Sequence, residues 1–161
     1  MDSGERRPDT PVMYLMVGPP GSGKTSYIRK YLTGALRVSL DDLRLMLSGR
    51  PFDFRYEQIV SVIGEVVTRA LLSRLKEWRR DGVFDATNVT REWRSRSLVV
   101  AQECDLPVVA VLLDTPMEVA LTRNRRRRRK VPEDVIERFY GQLEPPSVDE
   151  GFEEIVIVRD W

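Results

Sequence analysis

The chain has 161 residues, and its 26 Lys and Arg against 25 Asp and Glu give a formal net charge of +1. This length suits one folded domain with a substantial core, and 42% hydrophobic with 32% charged residues is an ordinary soluble composition. The absence of histidine excludes a Ser-His-Asp triad, a histidine metal site and a histidine general base.

The N-terminal residues 1–11 are polar and lack the apolar region of a secretory signal. We expect a flexible tail there, followed by a single domain over residues 12–161. No apolar run approaches the ~20 residues that span a bilayer, so no membrane contact is expected. The single cysteine, Cys104, cannot form an internal disulfide, which fits a reducing cytoplasmic location.

The first predicted strand, residues 12–17, leads into a glycine loop that matches G-x-x-x-x-G-K-[ST] at every fixed position. A predicted helix over residues 26–32 follows, and strand, loop and helix together favour a phosphate site over a chance Gly/Pro loop. Lys24, expected to face solvent, can reach the β- and γ-phosphates of a nucleotide, and Thr25 can offer its hydroxyl to Mg²⁺. The candidate nucleotide-binding residues of the loop are Gly18, Gly21, Ser22, Gly23, Lys24 and Thr25.

A second predicted strand, residues 37–40, runs directly into Asp41 and Asp42. An acidic pair just past the carboxyl end of a strand lies where open α/β sheets place their ligands. The alternative interpretation is a helix N-terminus, where aspartate is favoured for capping. Both interpretations can hold together.

A long helical pattern follows over residues 55–80, with a broad apolar stripe that we expect to lie on the sheet. A third predicted strand, residues 83–86, carries Asp85, a candidate partner of Mg²⁺ together with Thr25. The stripe comprises Ile59, Ile63, Val66 and Ala70 on one face, with Val67, Leu71, Leu75 and Trp78 beside it.

The remaining elements alternate helix and strand. Thr90 is expected to cap a helix over residues 91–104, and the apolar run 107–113 is typical of a strand buried on both faces. Thr115 is expected to cap the next helix in a capping box with Glu118. With a last strand over residues 154–158, the pattern predicts an α/β fold. Its parallel sheet of about five strands is covered by helices on both faces.

A basic run occupies residues 123–130, where seven of eight side chains are cationic. Such a run indicates a solvated face, a nucleic-acid patch or, in a P-loop protein, a lid that closes over phosphates. Pro132 begins another predicted helix, so the lid is expected over about residues 123–145.

Four blocks now stand in order: the glycine loop, Ser39-Leu40-Asp41-Asp42-Leu43-Arg44, Asp85-Ala86-Thr87-Asn88, and the basic run leading to Val131-Pro132. Together they resemble the kinase domain of polynucleotide 5′-hydroxyl kinases of the phage and bacterial RNA-repair types. The likeness extends over nearly the whole chain. One departure is Ala86, because phage-type members carry aspartate immediately before Thr-Asn.

The resemblance implies that Asp41 is the general base and that Arg44 binds a phosphate of the acceptor strand. It also implies that Arg123 and Arg127 contact the donor phosphates, with Arg129 a weaker match. The acceptor is further expected to contact Thr87, Asn88 and Arg94, with Arg96 adding to a basic surface.

The sequence therefore predicts transfer of the γ-phosphate of ATP or another nucleoside triphosphate, with Mg²⁺ or Mn²⁺, to the 5′-hydroxyl end of RNA or DNA. Association with separate repair enzymes belongs to this prediction. Two alternatives stay open: a small-molecule or toxin-type kinase on the same architecture, and a nucleotide-binding module without enzymatic activity.

Overall fold

The structure is a computed structural model that describes residues 10–159. The tail expected over residues 1–11 lies outside the described residues except for Thr10 and Pro11, and Pro11 is buried. No helix of the described part is long and apolar enough to cross a membrane.

Residues 10–159 contain five strands: β1 (Met13–Val17), β2 (Leu36–Ser39), β3 (Gly82–Asp85), β4 (Val108–Leu113) and β5 (Glu154–Val158). They form one parallel sheet in the order β2-β3-β1-β4-β5. All six residues of β4 are buried and apolar, as expected for a central strand covered by helices on both faces. The predicted α/β fold is confirmed.

Six α-helices in the described residues connect and flank the strands, and two short 3₁₀ turns lie at Phe54–Tyr56 and Val148–Glu150. The helices are α1 (Lys24–Tyr31), α2 (Leu40–Ser48), α3 (Glu57–Trp78), α4 (Arg91–Glu103), α5 (Met117–Arg125) and α6 (Glu133–Gly141).

Successive side chains of β1 point to opposite faces of the sheet, so this strand contributes to two hydrophobic cores. Met13 and Leu15 pack with α3 and α4 on one face, whereas Met16 packs with Ile28 of α1 on the other.

Helix α3 buries only part of the stripe that its apolar pattern predicted. Leu75 is buried, and Ile63 and Leu71 are partly buried against the core. Ile59, Val66 and Trp78 are exposed. The buried face contains Gly64, where an added Cβ would lie 2.5 Å from the Leu40 side chain. Because α2 packs this closely, the face of α3 that is buried is the one that carries Gly64. That face comprises Val60, Gly64, Thr68, Leu72 and Leu75.

Two helix starts test the capping predictions. The cap at Thr90 is confirmed, because its hydroxyl accepts from the Trp93 amide. The cap at Thr115 is wrong: Pro116 occupies the N-cap position of α5, and no side chain caps that helix. The Thr115 hydroxyl instead donates to the Ser22 carbonyl at 2.9 Å, so it fixes the glycine loop.

Candidate active site at the carboxyl edge of the sheet

The glycine loop joins β1 to α1 with three glycines at positive φ, Gly18, Gly21 and Gly23. A Cβ at Gly21 would lie 2.8 Å from the Ala120 carbonyl oxygen, because α5 packs directly on the loop. Gly23 is the N-cap of α1 and offers no side chain to the first amides of that helix. Those amides are donors at the positive end of a helix, which is an anion-binding arrangement.

Lys24 folds back over the loop rather than extending into solvent as expected. Its Nζ donates to the Gly18 and Pro19 carbonyls at 2.6 and 3.0 Å. Burial lowers the pKa of Lys24 from 10.5 to about 8, although the charges of Asp85 and Asp41 oppose this shift. The neighbouring carboxylates do not fully offset the cost of burying the Lys24 ammonium, so a bound anion would stabilise its charged form.

Ser22 is fully buried, and its Oγ has no hydrogen-bond partner among residues 10–159. Its carbonyl is well used, since it accepts from Thr115 Oγ1 and from Arg123 Nη1 at 3.2 Å. The loop is also tied to the segment that follows β3, because the Gly18 amide donates to the Thr87 carbonyl at 2.9 Å. The glycine loop is therefore held in place by this segment and by α5.

The structure brings the side chains of Thr25 and Asp85 together, and their binding of a metal ion stays a prediction. Thr25 Oγ1 donates to Asp85 Oδ2 at 3.4 Å, and Asp85 is buried. The same carboxylate oxygen accepts from Nε and Nη2 of Arg37 at 2.9 and 2.7 Å. Arg37 was not predicted, and it also donates to Asp42 Oδ2 at 2.6 Å. Asp42 therefore binds an arginine and does not cap α2, whose cap is Ser39.

Asp41 lies in the first turn of α2, and its side chain is 77% exposed. Arg44 Nη1 donates to Asp41 Oδ1 at 2.7 Å, one helical turn away. The other two guanidinium nitrogens of Arg44 donate to Glu57, the first residue of α3, at 2.9 Å each. The sequence did not predict a role for Glu57, because it lies 16 residues after Asp41 and no sequence motif joins the two.

Thr87 and Asn88, the two polar residues after β3, have different structural roles. Thr87 is partly exposed and gives its carbonyl to the glycine loop. Asn88 is buried at a φ of 47°, and its Nδ2 donates to the Met16 carbonyl at 2.8 Å. This bond ties the segment after β3 to β1, and contact of the Asn88 side chain with an acceptor stays a prediction.

Arg94 also departs from its expected role in acceptor binding. It is 0% exposed, and its Nε and Nη2 each donate to Glu150 at 2.7 Å. Nη1 donates to three carbonyls, those of Asn88, Val89 and Glu144. All of its nitrogens are engaged, so this arginine is a structural link between α4 and the C-terminal segment.

The basic run begins inside α5 and continues through the connection to α6. Arg123 is partly buried against the glycine loop, whereas Arg127 and Arg129 are exposed. The positive charge of Arg127 acts on Lys24, because it contributes to the lowered pKa of that lysine. Arg125 is turned the other way and pairs with Glu133.

Asn124 fixes the connection that carries these arginines. It is buried, and its amide donates to and accepts from the backbone of Val131 at 2.7 and 2.9 Å. The Tyr140 hydroxyl of α6 donates to the Thr115 carbonyl at 2.8 Å. Helix α6 is therefore anchored beside the loop.

The fold and the glycine loop are those of the P-loop kinases. The chain belongs to the family described as AAA domain, whose model matches residues 13–146. The L-seryl-tRNA(Sec) kinase of Methanococcus maripaludis is 24% identical over 84% of this chain and 54% of its own length. The bifunctional polynucleotide phosphatase/kinase of Schizosaccharomyces pombe is 23% identical over 86% of this chain and 31% of its own length.

Among solved structures, the Pnkp1/Rnl/Hen1 RNA repair complex contains a chain with the same fold. It superposes with a TM-score of 0.69 at 24% identity, covering 89% of this chain and 46% of that one. The present chain thus spans about half or less of these three proteins.

Proposed function

We propose that this domain transfers the γ-phosphate of ATP or another nucleoside triphosphate to the 5′-hydroxyl end of an RNA or DNA strand. The observation that carries the proposal is the Asp41–Arg44 pair, which sits at the same sheet edge as Lys24 and the arginines that follow α5. A carboxylate and a guanidinium one turn apart suit an acceptor that carries both a hydroxyl and a phosphate.

The donor phosphates would lie on the loop residues Gly18 to Thr25. The amides at the start of α1 and the Lys24 ammonium supply donors to them, while Arg123 and Arg127 neutralise charge that develops on the transferred group. Arg129 adds to this field from the exposed part of the lid. The unpartnered Oγ of Ser22 and the lowered pKa of Lys24 support an anion at this place.

A divalent cation fits the Thr25–Asp85 pair as a partial site. The described residues hold no group of three or more acidic, cysteine or histidine side chains suited to a metal. An ion at this pair would take its other ligands from nucleotide phosphates and water. Thr25 would offer its hydroxyl and Asp85 would orient it or a bound water. Mg²⁺ or Mn²⁺, when bound, polarises the phosphoryl oxygens.

On the acceptor side, Arg44 binds a strand phosphate in bidentate fashion and Asp41 accepts the proton of the 5′-hydroxyl. The 5′-oxygen then bonds to the γ-phosphorus while the bond from that phosphorus to the β–γ bridging oxygen breaks. The nucleoside diphosphate leaves. Thr87 completes the edge between the two substrates.

Two of the compared proteins support a nucleic-acid acceptor: one is named a polynucleotide phosphatase/kinase, and one belongs to an RNA repair complex. Association with separate repair enzymes is part of the proposal for the same reason. A second candidate, phosphorylation of a smaller hydroxyl group such as an aminoacyl serine, is favoured by the likeness to L-seryl-tRNA(Sec) kinase.

The direct test is end labelling with γ-labelled ATP and Mg²⁺. The acceptor is a single-stranded octanucleotide with a 5′-hydroxyl, as RNA and as DNA, and the control is the same strand already carrying a 5′-phosphate. The proposal requires label on the first strand alone. Label on neither strand would overturn it, provided that the protein is folded and binds ATP.

A further inference from the structure

The connection between α2 and α3 exposes three aromatic rings beside the Asp41–Arg44 pair. Phe52 and Phe54 are 62% and 85% exposed, and Tyr56 is 41% exposed. We call residues 52–56 the aromatic turn. Single exposed apolar side chains are common, but three exposed rings within five residues form an apolar patch, and such patches indicate binding surfaces.

The aromatic turn is held in shape by its own polar residue. Asp53 accepts from the backbone amide, Nε and Nη2 of Arg55, at 3.1, 3.0 and 2.7 Å. It also lies 3.7 Å from Nη1 of Arg50. The hydrogen bonds from Arg55 lower the pKa of Asp53 to about 2, so this contact persists across the working pH range. These contacts hold the backbone of the turn, and the exposure of the three rings places them on its solvent side.

The position of the turn is set by the candidate acceptor residues. Glu57 directly follows Tyr56 and binds the guanidinium of Arg44, which also binds Asp41. Arg50 and Arg55 flank the exposed phenylalanines, and each keeps about two thirds of its side chain exposed. Arg55 also lies over the ring of Tyr56, 5.5 Å from its centroid.

Exposed rings interleaved with arginines are the chemistry of single-stranded nucleic-acid binding, where bases stack on aromatic faces and cations meet the phosphates. We propose that the aromatic turn is a stacking platform for bases of the acceptor strand, next to the nucleotide whose 5′-hydroxyl reacts. This inference rests on the proposed function. It adds a binding subsite in the connection between α2 and α3, which would extend the contact with the acceptor strand by one or more nucleotides.

The test measures the acceptor KM and kcat for 5′-hydroxyl strands of two to eight nucleotides, at saturating ATP. The double variant Phe52→Leu with Phe54→Leu keeps apolar bulk and removes both aromatic faces, and Phe52→Trp with Phe54→Trp keeps the faces. Val66→Ala is the matched control, because Val66 is an exposed apolar residue elsewhere on α3. Binding of a 3′-fluorescein octanucleotide is followed by anisotropy in parallel.

In the wild type, KM should fall as the strand lengthens. The leucine variant should raise the octanucleotide KM and Kd about tenfold, flatten the length dependence and leave kcat and the ATP KM unchanged. The tryptophan variant and Val66→Ala should behave as wild type.

Wild-type KM and length dependence in the leucine variant would overturn the platform while leaving the kinase proposal standing. A changed sedimentation coefficient in a Phe52→Ala, Phe54→Ala variant with no change in acceptor KM would also overturn it, in favour of an interface between copies of the chain. Failure of the wild type to phosphorylate any strand would overturn both proposals.

Discussion

Arg44 Nη1 lies 2.7 Å from Asp41 Oδ1, so the two groups assigned to the acceptor already face each other across one turn of α2. Glu57 holds the opposite side of the same guanidinium. In the proposed mechanism an acceptor phosphate competes with Asp41 for Arg44. Its arrival frees the Asp41 carboxylate to accept the proton of the 5′-hydroxyl.

Asp41→Asn should lower kcat about 10²–10⁴-fold with ATP binding retained, because the amide keeps the shape of the base but cannot accept the proton. Asp42→Asn is the matched control. It weakens a partly exposed pair with Arg37, which is worth about 0.2–1 kcal/mol of stability. The kcat, ATP affinity and melting temperature of both variants are compared side by side. If Asp42→Asn is inactive and Asp41→Asn is active, the general base is Asp42 and the assignment to Asp41 is wrong.

Lys24→Met should abolish transfer and change stability in a pH-dependent way. The folded-state pKa of Lys24, about 8, lies below its ordinary value of 10.5, so between these pH values the unfolded chain binds more protons. Wild-type stability relative to the variant should therefore rise from pH 8 to 10.5 and stay constant below pH 8. Urea unfolding at pH 7, 9 and 10 measures this, with Lys30→Met as control. A difference independent of pH would contradict the lowered pKa.

Arg123→Ala and Arg127→Ala should each lower kcat about 10²–10³-fold, the usual effect of removing one donor to a developing charge. Arg125→Ala is the control on the same run, because its guanidinium is engaged by Glu133. Single-turnover transfer at saturating ATP separates this loss from weaker binding. Small and equal losses at all three positions, with a steep dependence on salt, would instead indicate a diffuse cationic patch.

Arg94→Ala should destabilise the fold by about 3–5 kcal/mol, because it leaves the Glu150 carboxylate buried without its partner. Arg96→Ala, on an exposed part of α4, should stay within about 0.5 kcal/mol of wild type. Urea unfolding measures both. Unchanged stability together with a raised acceptor KM in Arg94→Ala would restore the expectation that this residue binds substrate.

The sheet, the loop and their edge were predictable because each depends on local sequence. The apolar run of β4 and the glycines between β1 and α1 have few alternative structures. The buried face of α3 was predictable only in part, because apolar residues surround much of that helix: Leu75 is buried as predicted, whereas Ile59 and Val66 are exposed. The close approach of Leu40 to Gly64 decided which face is buried.

The ion pairs of the site were hidden for a related reason. Arg37 meets Asp85 because β2 and β3 pair in parallel with Ser39 opposite Asp85, a register that no local pattern encodes. Thr115 fits a capping box in sequence, yet its hydroxyl contacts the glycine loop 93 residues earlier in the chain. The order and register of the strands determine which distant residues meet. A local sequence pattern can therefore identify a candidate residue but not its partner or its role.

A competition in one reaction distinguishes a polynucleotide acceptor from the alternatives. The protein, labelled ATP and Mg²⁺ are mixed with a 5′-hydroxyl octanucleotide, a panel of small alcohols and a seryl-tRNA. We expect kcat/KM to be highest for the octanucleotide and Asp41→Asn to remove its labelling. Preferential labelling of a small alcohol or of the seryl group, with the octanucleotide unlabelled, would contradict the polynucleotide acceptor and leave only the P-loop kinase fold standing.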